Sequence, residues 1–87
     1  MKEVFLDCSG ICGAVQMHSA LARTLAFPDW YGGNLDALYD CLTSLGEETC
    51  LILTNAEALG NYKNAFLWVM EDAAQVNPRF RFRCDNR

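Results

Sequence analysis

The order of apolar and polar positions predicts strands separated by helices. Residues 4–8 form a short apolar run closed by Ser9-Gly10, a pattern typical of a strand and a turn. Apolar residues then recur at helical spacing, which predicts a helix from about residue 12 to residue 26. Pro28 ends this helix, because a residue that precedes proline disfavours the helical conformation. The apolar stripe of the helix consists of Ala14, Met17, Leu21 and Leu25.

The middle of the chain predicts a second helix and a buried strand. Gly32-Gly33 lead into Asn34, a good N-terminal cap, and the helix runs from residue 35 to about residue 45, before Gly46. Residues 50–54 are continuously apolar, as expected of a strand buried on both faces. Residues 55–60 predict a short helical turn.

The last third of the chain predicts one more helix and one more strand. Asn61 is predicted to cap the helix, and Asn77-Pro78 interrupts it. The apolar stripe of this helix consists of Tyr62, Phe66, Val69, Met70, Ala73 and Val76. Residues 79–84 alternate between basic and apolar side chains, which predicts a strand with one solvated face.

The element order is strand, helix, helix, strand, helix, strand. Strands separated by helices pair in parallel through crossover connections, so the predicted fold class is α/β. We expect a small three-stranded parallel sheet packed with about three to four helices, the helices crowding mainly one face. Residues 1–87 are expected to be one domain, since a chain of this length supports a single hydrophobic core.

Composition and charge narrow the classes of partner. The chain is 52% hydrophobic and 21% charged, which is typical of a globular protein, and its net charge is −4. A nucleic-acid-binding protein needs a basic surface, so we expect no nucleic-acid partner and instead a basic protein partner. The sequence shows no membrane-spanning apolar run and begins without a leader pattern, so we expect a cytoplasmic protein without membrane association, monomeric when free.

The cysteines and the histidine do not form a convincing catalytic or metal motif. Five cysteines are an odd number, and we expect reduced thiols, with Cys8, Cys41 and Cys50 buried as small hydrophobes. A site built from Cys8, Cys12, His18 and Cys84 would have poor spacing for zinc. His18 lies on an apolar stripe and is interpreted as a packed, hydrogen-bonded histidine rather than a catalytic one. We expect no metal, no cofactor and no enzymatic activity.

The second helix has two contrasting faces. Its core stripe consists of Leu35, Leu38, Leu42 and Leu45, and its other face consists of Asp36, Tyr39, Asp40 and Thr43. Two carboxylates one turn apart repel each other, and Trp30-Tyr31 just before the helix add aromatic surface. This combination favours an interface for a cationic partner. In the alternative reading the aspartates are simply solvated and Trp30 is a core residue, and the spacing alone leaves both open.

Residues 25–43, LAFPDWYGGNLDALYDCLT, resemble the signature of the barstar family of intracellular inhibitors of secreted, barnase-type ribonucleases. A weaker resemblance extends to residues 6–11, to Met17-His18 and to the third helix. The resemblance implies a one-to-one complex in which the loop and helix block the active site of a basic secreted ribonuclease. Asp40 would then stand in for the substrate phosphate, with Asp36 as a second charged contact. The other matching contact positions are Trp30, Tyr31, Gly32, Asn34, Tyr39, Thr43 and Asp72.

Some positions depart from the family pattern. The best-known member has Trp in place of Tyr39, Tyr in place of Trp30 and Glu in place of Gly33. Asp72 matches an acidic contact of the third helix, but Val76 stands where that helix has another acid. These departures bear on affinity and target, so an alternative function is an adaptor of the same fold that binds another protein, or a redox-responsive binding module.

One feature points away from a basic partner. Arg79, Arg81 and Arg83 share the solvated face of the last strand, and Arg87 follows them. Charged side chains of this kind protect an edge strand against pairing with other chains. The second interpretation is a weak site for RNA or an acidic partner.

Overall fold

The computed structural model describes residues 1–85, and this range folds into a parallel sheet packed with helices. The strands are β1 (Lys2–Asp7), β2 (Thr49–Thr54) and β3 (Phe80–Asp85). The helices are α1 (Ala14–Leu25), α2 (Leu35–Thr43) and α3 (Lys63–Val76), with 3-10 segments at Cys8–Gly10 and Ala56–Tyr62. The predicted element order and the α/β fold class with a three-stranded parallel sheet are confirmed over these residues.

The sheet has the order β1-β2-β3, and each neighbouring pair is parallel. Val4 lies opposite Leu51, which lies opposite Phe82, and side chains in such a row point to the same face. This row belongs to the face on which the helices pack. The next row, Phe5, Ile52 and Arg83, belongs to the outer face.

The hydrophobic core lies between the inner face of the sheet and the helices. α1 contributes Met17 and Leu21, α2 contributes Leu38 and Leu42, and α3 contributes Phe66, Met70 and Ala73. The sheet contributes Leu6, Leu51, Leu53 and Phe80. Removing such apolar surface from water is the main stabilising contribution to a fold of this size.

The outer face of the sheet is only partly covered. Ile52 is fully buried there, but Phe5 beside it is 62% exposed. Cys50 is half-buried rather than buried as expected, because it points to this outer face. The prediction that β2 is buried on both faces is therefore confirmed at its centre and wrong towards its ends.

The basic face of β3 lies where the alternating pattern placed it. Arg81 and Arg83 are exposed on an edge strand, and Arg83 forms ion pairs with Glu3 at 3.9 Å and Asp85 at 3.4 Å. Exposed pairs of this length contribute little to stability, and exposed charges on an edge strand disfavour its pairing with other chains. Arg87 lies outside the described residues.

The N-terminal end of α3 differs from the prediction. Asn61 does not cap the helix, because residues Ala56–Tyr62 form a 3-10 segment that Gly60, at φ +60°, redirects into α3. Tyr62 and Val76, predicted in the apolar stripe, are both exposed, since they lie at the two ends of the helix beyond the core. The buried stripe is the shorter one of Phe66, Met70 and Ala73.

Candidate protein-binding site

α2 begins where the sequence predicted. The Oδ1 atom of Asn34 accepts a hydrogen bond from the backbone N–H of Ala37 at 2.8 Å, which satisfies one of the unpaired amides of the first turn. Asp36 lies in the same turn, where the helix dipole favours a negative charge. The helix ends at Thr43, two residues earlier than predicted, and the N–H of Ser44 closes its last turn.

The two faces of α2 are confirmed. Leu38 and Leu42 are fully buried, whereas Asp36 and Asp40 are exposed. Tyr39 is half-buried, with its ring against the edge of the core. The carboxylates of the outward face are therefore presented on a helix whose opposite face is fixed by the core.

Thr43 already uses its hydroxyl within α2. The Oγ1 atom donates towards the carbonyl of Tyr39 at 2.8 Å and lies 3.2 Å from the carbonyl of Asp40. A partner could still use the hydroxyl oxygen as an acceptor, because its lone pairs are not consumed by donation.

The loop before α2 has one exposed and one anchored aromatic residue. Trp30 is 74% exposed, so the alternative reading in which it belongs to the core is wrong. Tyr31 is half-buried, and its ring packs against Phe27 with centroids 4.9 Å apart.

The hydroxyl of Tyr31 is held by the buried His18. It lies 2.5 Å from Nδ1 of the imidazole, a hydrogen bond whose direction the tautomer sets. The imidazole is 6% exposed and packs against Phe66 of α3, with centroids 4.9 Å apart. The prediction of a packed, hydrogen-bonded histidine is confirmed, and through it α1 and α3 position the loop before α2.

Burial keeps both members of this pair neutral near pH 7. It lowers the pKa of His18 and, as the largest cause, raises the pKa of Tyr31 to about 12. The loop is therefore fixed by a neutral hydrogen bond rather than by an ion pair.

The two glycines of the loop suit its local shape. Gly33 has φ +68°, a conformation that strains side chains with a Cβ atom. A Cβ atom on Gly32 would lie 3.2 Å from the Nδ2 atom of Asn34, which is tighter than an ordinary contact. Glycine at these positions lets the loop turn sharply into the cap of α2.

A groove of about 600 Å³ lies between α1 and this loop. Its lining includes His18, Ser19, Arg23, Phe27, Tyr31 and Gly32. The groove adjoins the exposed face of the loop, so the surface has a concave part beside the protruding α2.

α3 packs beside α2. The two helices pack against each other, and Asp72 is exposed on α3. The Nδ2 atom of Asn77, just after α3, donates to the carbonyls of Leu42 at 3.0 Å and Leu45 at 3.1 Å. The side chain of Asn77 therefore joins the carboxyl end of α2 to that of α3.

Comparison with known proteins shows the family of the chain. A model of the family described as Barstar (barnase inhibitor) matches residues 1–85. The protein named "Putative ribonuclease inhibitor YrdF" from Bacillus subtilis (strain 168) is 36% identical over 80 residues, covering 86% of this chain and 88% of that protein. The chain belongs to the barstar family.

In this member of the barstar family, the predicted contact positions differ in their exposure and in their local structural role. Trp30, Asp36 and Asp40 are exposed and free to meet a partner, as is Asp72 on α3. Tyr31, Tyr39 and Thr43 are half-buried, and Asn34 and Gly32 shape the start of α2.

The sequence did not indicate the structural roles of two residues in this part of the barstar-family fold. Asn77 was interpreted only as a helix breaker, but it is buried and joins α2 to α3. Trp68 was given no role and is 67% exposed. Its position two residues after Phe66, out of phase with the apolar stripe, is the signal that could have indicated its exposure.

The five cysteines are all free thiols. The cysteines at positions 8, 12, 41, 50 and 84 are free, and only Cys8 and Cys41 are buried. Within residues 1–85, no group of three or more histidine, cysteine, aspartate or glutamate side chains is placed to hold a metal ion. In the same range, each helix is too short or too polar to cross a membrane.

Proposed function

We propose that this protein inhibits a barnase-type ribonuclease by forming a one-to-one complex in which residues 30–43 cover the active site. Membership of the barstar family supports the proposal, and so does the similarity to a protein whose name describes ribonuclease inhibition. The observation that carries it is the outward face of α2, on which Asp36 and Asp40 are both exposed.

Asp40 is the central residue of the proposed contact. An ionised carboxylate has two acceptor oxygens and can take two parallel hydrogen bonds from an arginine, as a phosphate group does. A ribonuclease must hold a phosphate of its substrate, so its active site has the donors that Asp40 needs. The carboxylate would occupy the place of that phosphate and exclude RNA.

The surroundings of Asp40 suit a basic partner. Asp36 lies one turn before it and Asp72 lies on the adjacent α3, while the whole chain has a net charge of −4. Negative potential over the contact surface accelerates the encounter with a positively charged protein. Trp30 offers the exposed aromatic surface that interfaces favour, and Tyr31, Gly32, Asn34, Tyr39 and Thr43 would complete the contact.

An inhibition titration tests the proposal. Barnase would be titrated with the wild-type protein, with Asp40→Asn and with Glu3→Gln, and residual RNA cleavage would be measured. Asp40→Asn keeps the shape of the side chain and removes its charge. Glu3→Gln changes the net charge equally but lies on the outer face of the sheet, where Glu3 has only a 3.9 Å ion pair with Arg83.

We expect the wild-type protein and Glu3→Gln to inhibit at one equivalent. Asp40→Asn should raise the Kd by about a hundredfold or more, because the enzyme's cations would be left buried without a counter-charge. Equal inhibition by Asp40→Asn and wild type would contradict the role of Asp40. Absence of inhibition by the wild-type protein would favour an adaptor that uses the same fold for another partner.

A further inference from the structure

We infer that the outer face of the sheet is a self-association surface, on which a second copy of this chain stacks face to face. The inference goes beyond the proposed function, because this face lies on the side of the sheet opposite the helices and does not include α2. Phe5 is 62% exposed there in the middle of β1, and the half-buried Cys50 of β2 lies near it. Apolar side chains surrounded by charged ones are the usual composition of a protein interface.

The helices leave this face open. The sheet order β1-β2-β3 requires both crossover connections to step in the same direction, and right-handed crossovers then place all their helices on one face. Met17, Leu38 and Phe66 of the three helices accordingly share one core with the inner face. Within residues 1–85, Ile52 is buried without belonging to that core cluster, because it lies on the other side of β2. The outer face is therefore available to a partner.

The strand register orders the chemistry of this face. Two rows of three side chains cross it from β1 to β3: Glu3, Cys50 and Arg81 in the first row, and Phe5, Ile52 and Arg83 in the second. Both rows have a small or apolar side chain on the central strand and an arginine on β3. On β1, the first row has a carboxylate and the second has an aromatic ring, which are the two groups that bind arginine best.

This pattern is complementary to itself about a twofold axis that runs along β2. Two sheets stacked about such an axis place β1 of each copy over β3 of the other, at the same level along the strands. Glu3 then faces Arg81 of the second copy, and Phe5 faces Arg83 of the second copy. Each of these contacts occurs twice, while the side chains of β2 meet their own counterparts on the axis. A second copy is thus an occupant whose charges match this face.

The groups that these contacts need are available. Of the ion pairs within residues 1–85, Arg83 takes part in those with Glu3 and Asp85, whereas Arg81 takes part in none. The pair between Glu3 and Arg83 is exposed and has a length of 3.9 Å, so it contributes little and Glu3 can turn to a new partner. Arg81 is exposed and has no carboxylate to give up.

The acidic end of the face limits the contact to these two rows. Asp7 and Asp85 belong to the next row, and in the stacked pair they would lie opposite each other. The carboxylate of Asp7 is turned towards the loops by hydrogen bonds from Ser9 at 2.9 Å and Asn55 at 2.8 Å. Stacked sheets also cross at about 30°, which separates their corners.

The size of the face makes the association weak. Three strands of six residues span about 15 Å by about 20 Å, which is less than the roughly 800 Å² that each partner buries in a standard interface. We therefore expect a Kd on the order of 100 µM, so that the dilute protein is the expected monomer. In the dimer the helices of the two copies lie on opposite outer sides, and both α2 surfaces remain free.

Sedimentation equilibrium of the full chain between about 10 µM and about 2 mM tests the inference. The variants are Arg81→Glu, Glu3→Arg and a chain that carries both changes. Arg23→Glu is the matched control, because it alters the net charge as Arg81→Glu does, but on the exposed side of α1. Thermal melting confirms that each variant folds.

We expect each single change on the sheet to raise the dimer Kd at least about tenfold, because two like-charged pairs then face each other across the axis. The chain with both changes restores opposite charges at both places, so its Kd should return to within about threefold of the wild-type value. Arg23→Glu should change the Kd by less than about twofold.

The outcomes are independent of the proposed function. A wild-type protein that stays monomeric up to about 2 mM would overturn the inference, and binding of poly-glutamate by that monomer would assign the face to an acidic partner instead. Failure of the double change to restore association would overturn the pairing of Glu3 with Arg81. The inhibition titration uses dilute, monomeric protein, so its result does not depend on this face and Glu3→Gln remains its control.

Discussion

At the scale of single residues, His18 and Tyr31 connect the core to the candidate contact loop. The imidazole packs against Phe66 and lies within hydrogen-bond distance of the Tyr31 hydroxyl, so the loop takes its position from two helices. The stability of the folded protein depends on pH through this link, because histidine is the group of the pair whose ordinary pKa lies near neutrality.

We predict that the protein loses stability as the pH falls from 7 towards 5. The imidazole of the unfolded chain has a pKa of about 6.5, and burial lowers this pKa in the folded protein. Below pH 6.5 the unfolded state therefore binds the proton first, and the free energy of unfolding decreases until the folded pKa is passed. Urea unfolding between pH 8 and pH 5 would measure the effect.

The control for this prediction is His18→Gln, which keeps a polar side chain that cannot titrate. Its free energy of unfolding should be nearly constant between pH 8 and pH 5, whatever its absolute value. Hydrogen bonds lower the pKa of Asp7, chiefly that from Asn55, and a bond from Lys2 lowers the pKa of Glu47. The stability that these two carboxylates contribute is therefore lost only below the pH range in which His18 titrates. An equal slope in the two proteins would assign the pH dependence to another group.

At the scale of elements, α2 is defined by what holds its two ends. The side chain of Asn34 caps its first turn. Asn77, which lies outside α2, donates hydrogen bonds to the backbone carbonyls at its end. The Oδ1 atom of Asn77 also accepts from the N–H of Arg79 at 3.0 Å. One buried side chain thus joins α2, α3 and the start of β3.

We predict that Asn77→Ala lowers the free energy of unfolding by about 2–3 kcal/mol, because buried backbone groups lose their partners. Asn64→Ala is the matched control: Asn64 is exposed on α3, and its replacement should change stability by less than about 0.5 kcal/mol. Urea unfolding of both variants checks the prediction. A small effect in Asn77→Ala would mean that water replaces its hydrogen bonds.

At the scale of the whole molecule, the two sides of the sheet differ in charge. The helices cover the inner face of the sheet, and the acidic groups of α2 and α3 lie on that side of the fold, whereas Arg81 and Arg83 lie on the outer face. The distribution gives a net acidic protein a local basic region that is remote from the candidate contact surface.

The cysteines provide a measure of global stability. Cys12 is exposed, whereas Cys8 and Cys41 are buried. Burial raises the pKa of Cys8 to about 11 and also raises the pKa of Cys41. We predict that iodoacetamide at pH 8 modifies Cys12 at the rate of an exposed thiol, and Cys8 and Cys41 at least about a thousandfold more slowly.

Mass spectrometry of the partly modified protein would give these rates, with the chain in urea as the reference in which all sites react. Cys84 is exposed as a residue, but partial burial of its sulfur atom raises the pKa of the thiol. We therefore expect Cys84 to react at an intermediate rate. Rapid modification of Cys8 in the native protein would contradict the closed core between β1 and the helices.

The sequence by itself determined most of the local structure. The spacing of Met17, Leu21 and Leu25 and the polar cap at Asn34 are local features, and helices follow local spacing and capping closely. The alternation of basic and apolar residues likewise placed the edge strand β3. The two faces of α2, and with them the candidate site, followed from the same periodicity.

Only the tertiary structure decided which apolar residues are buried and which distant groups meet. Tyr62 and Val76 fall on the predicted apolar stripe of the third helix, yet they are exposed because they lie at the two ends of α3, beyond the core. The contacts between His18 and Tyr31 and between Asn77 and Leu42 join residues far apart in the chain, and no local pattern encodes such a meeting. Burial and long-range hydrogen bonds depend on how the elements pack together, and that packing is a property of the whole fold.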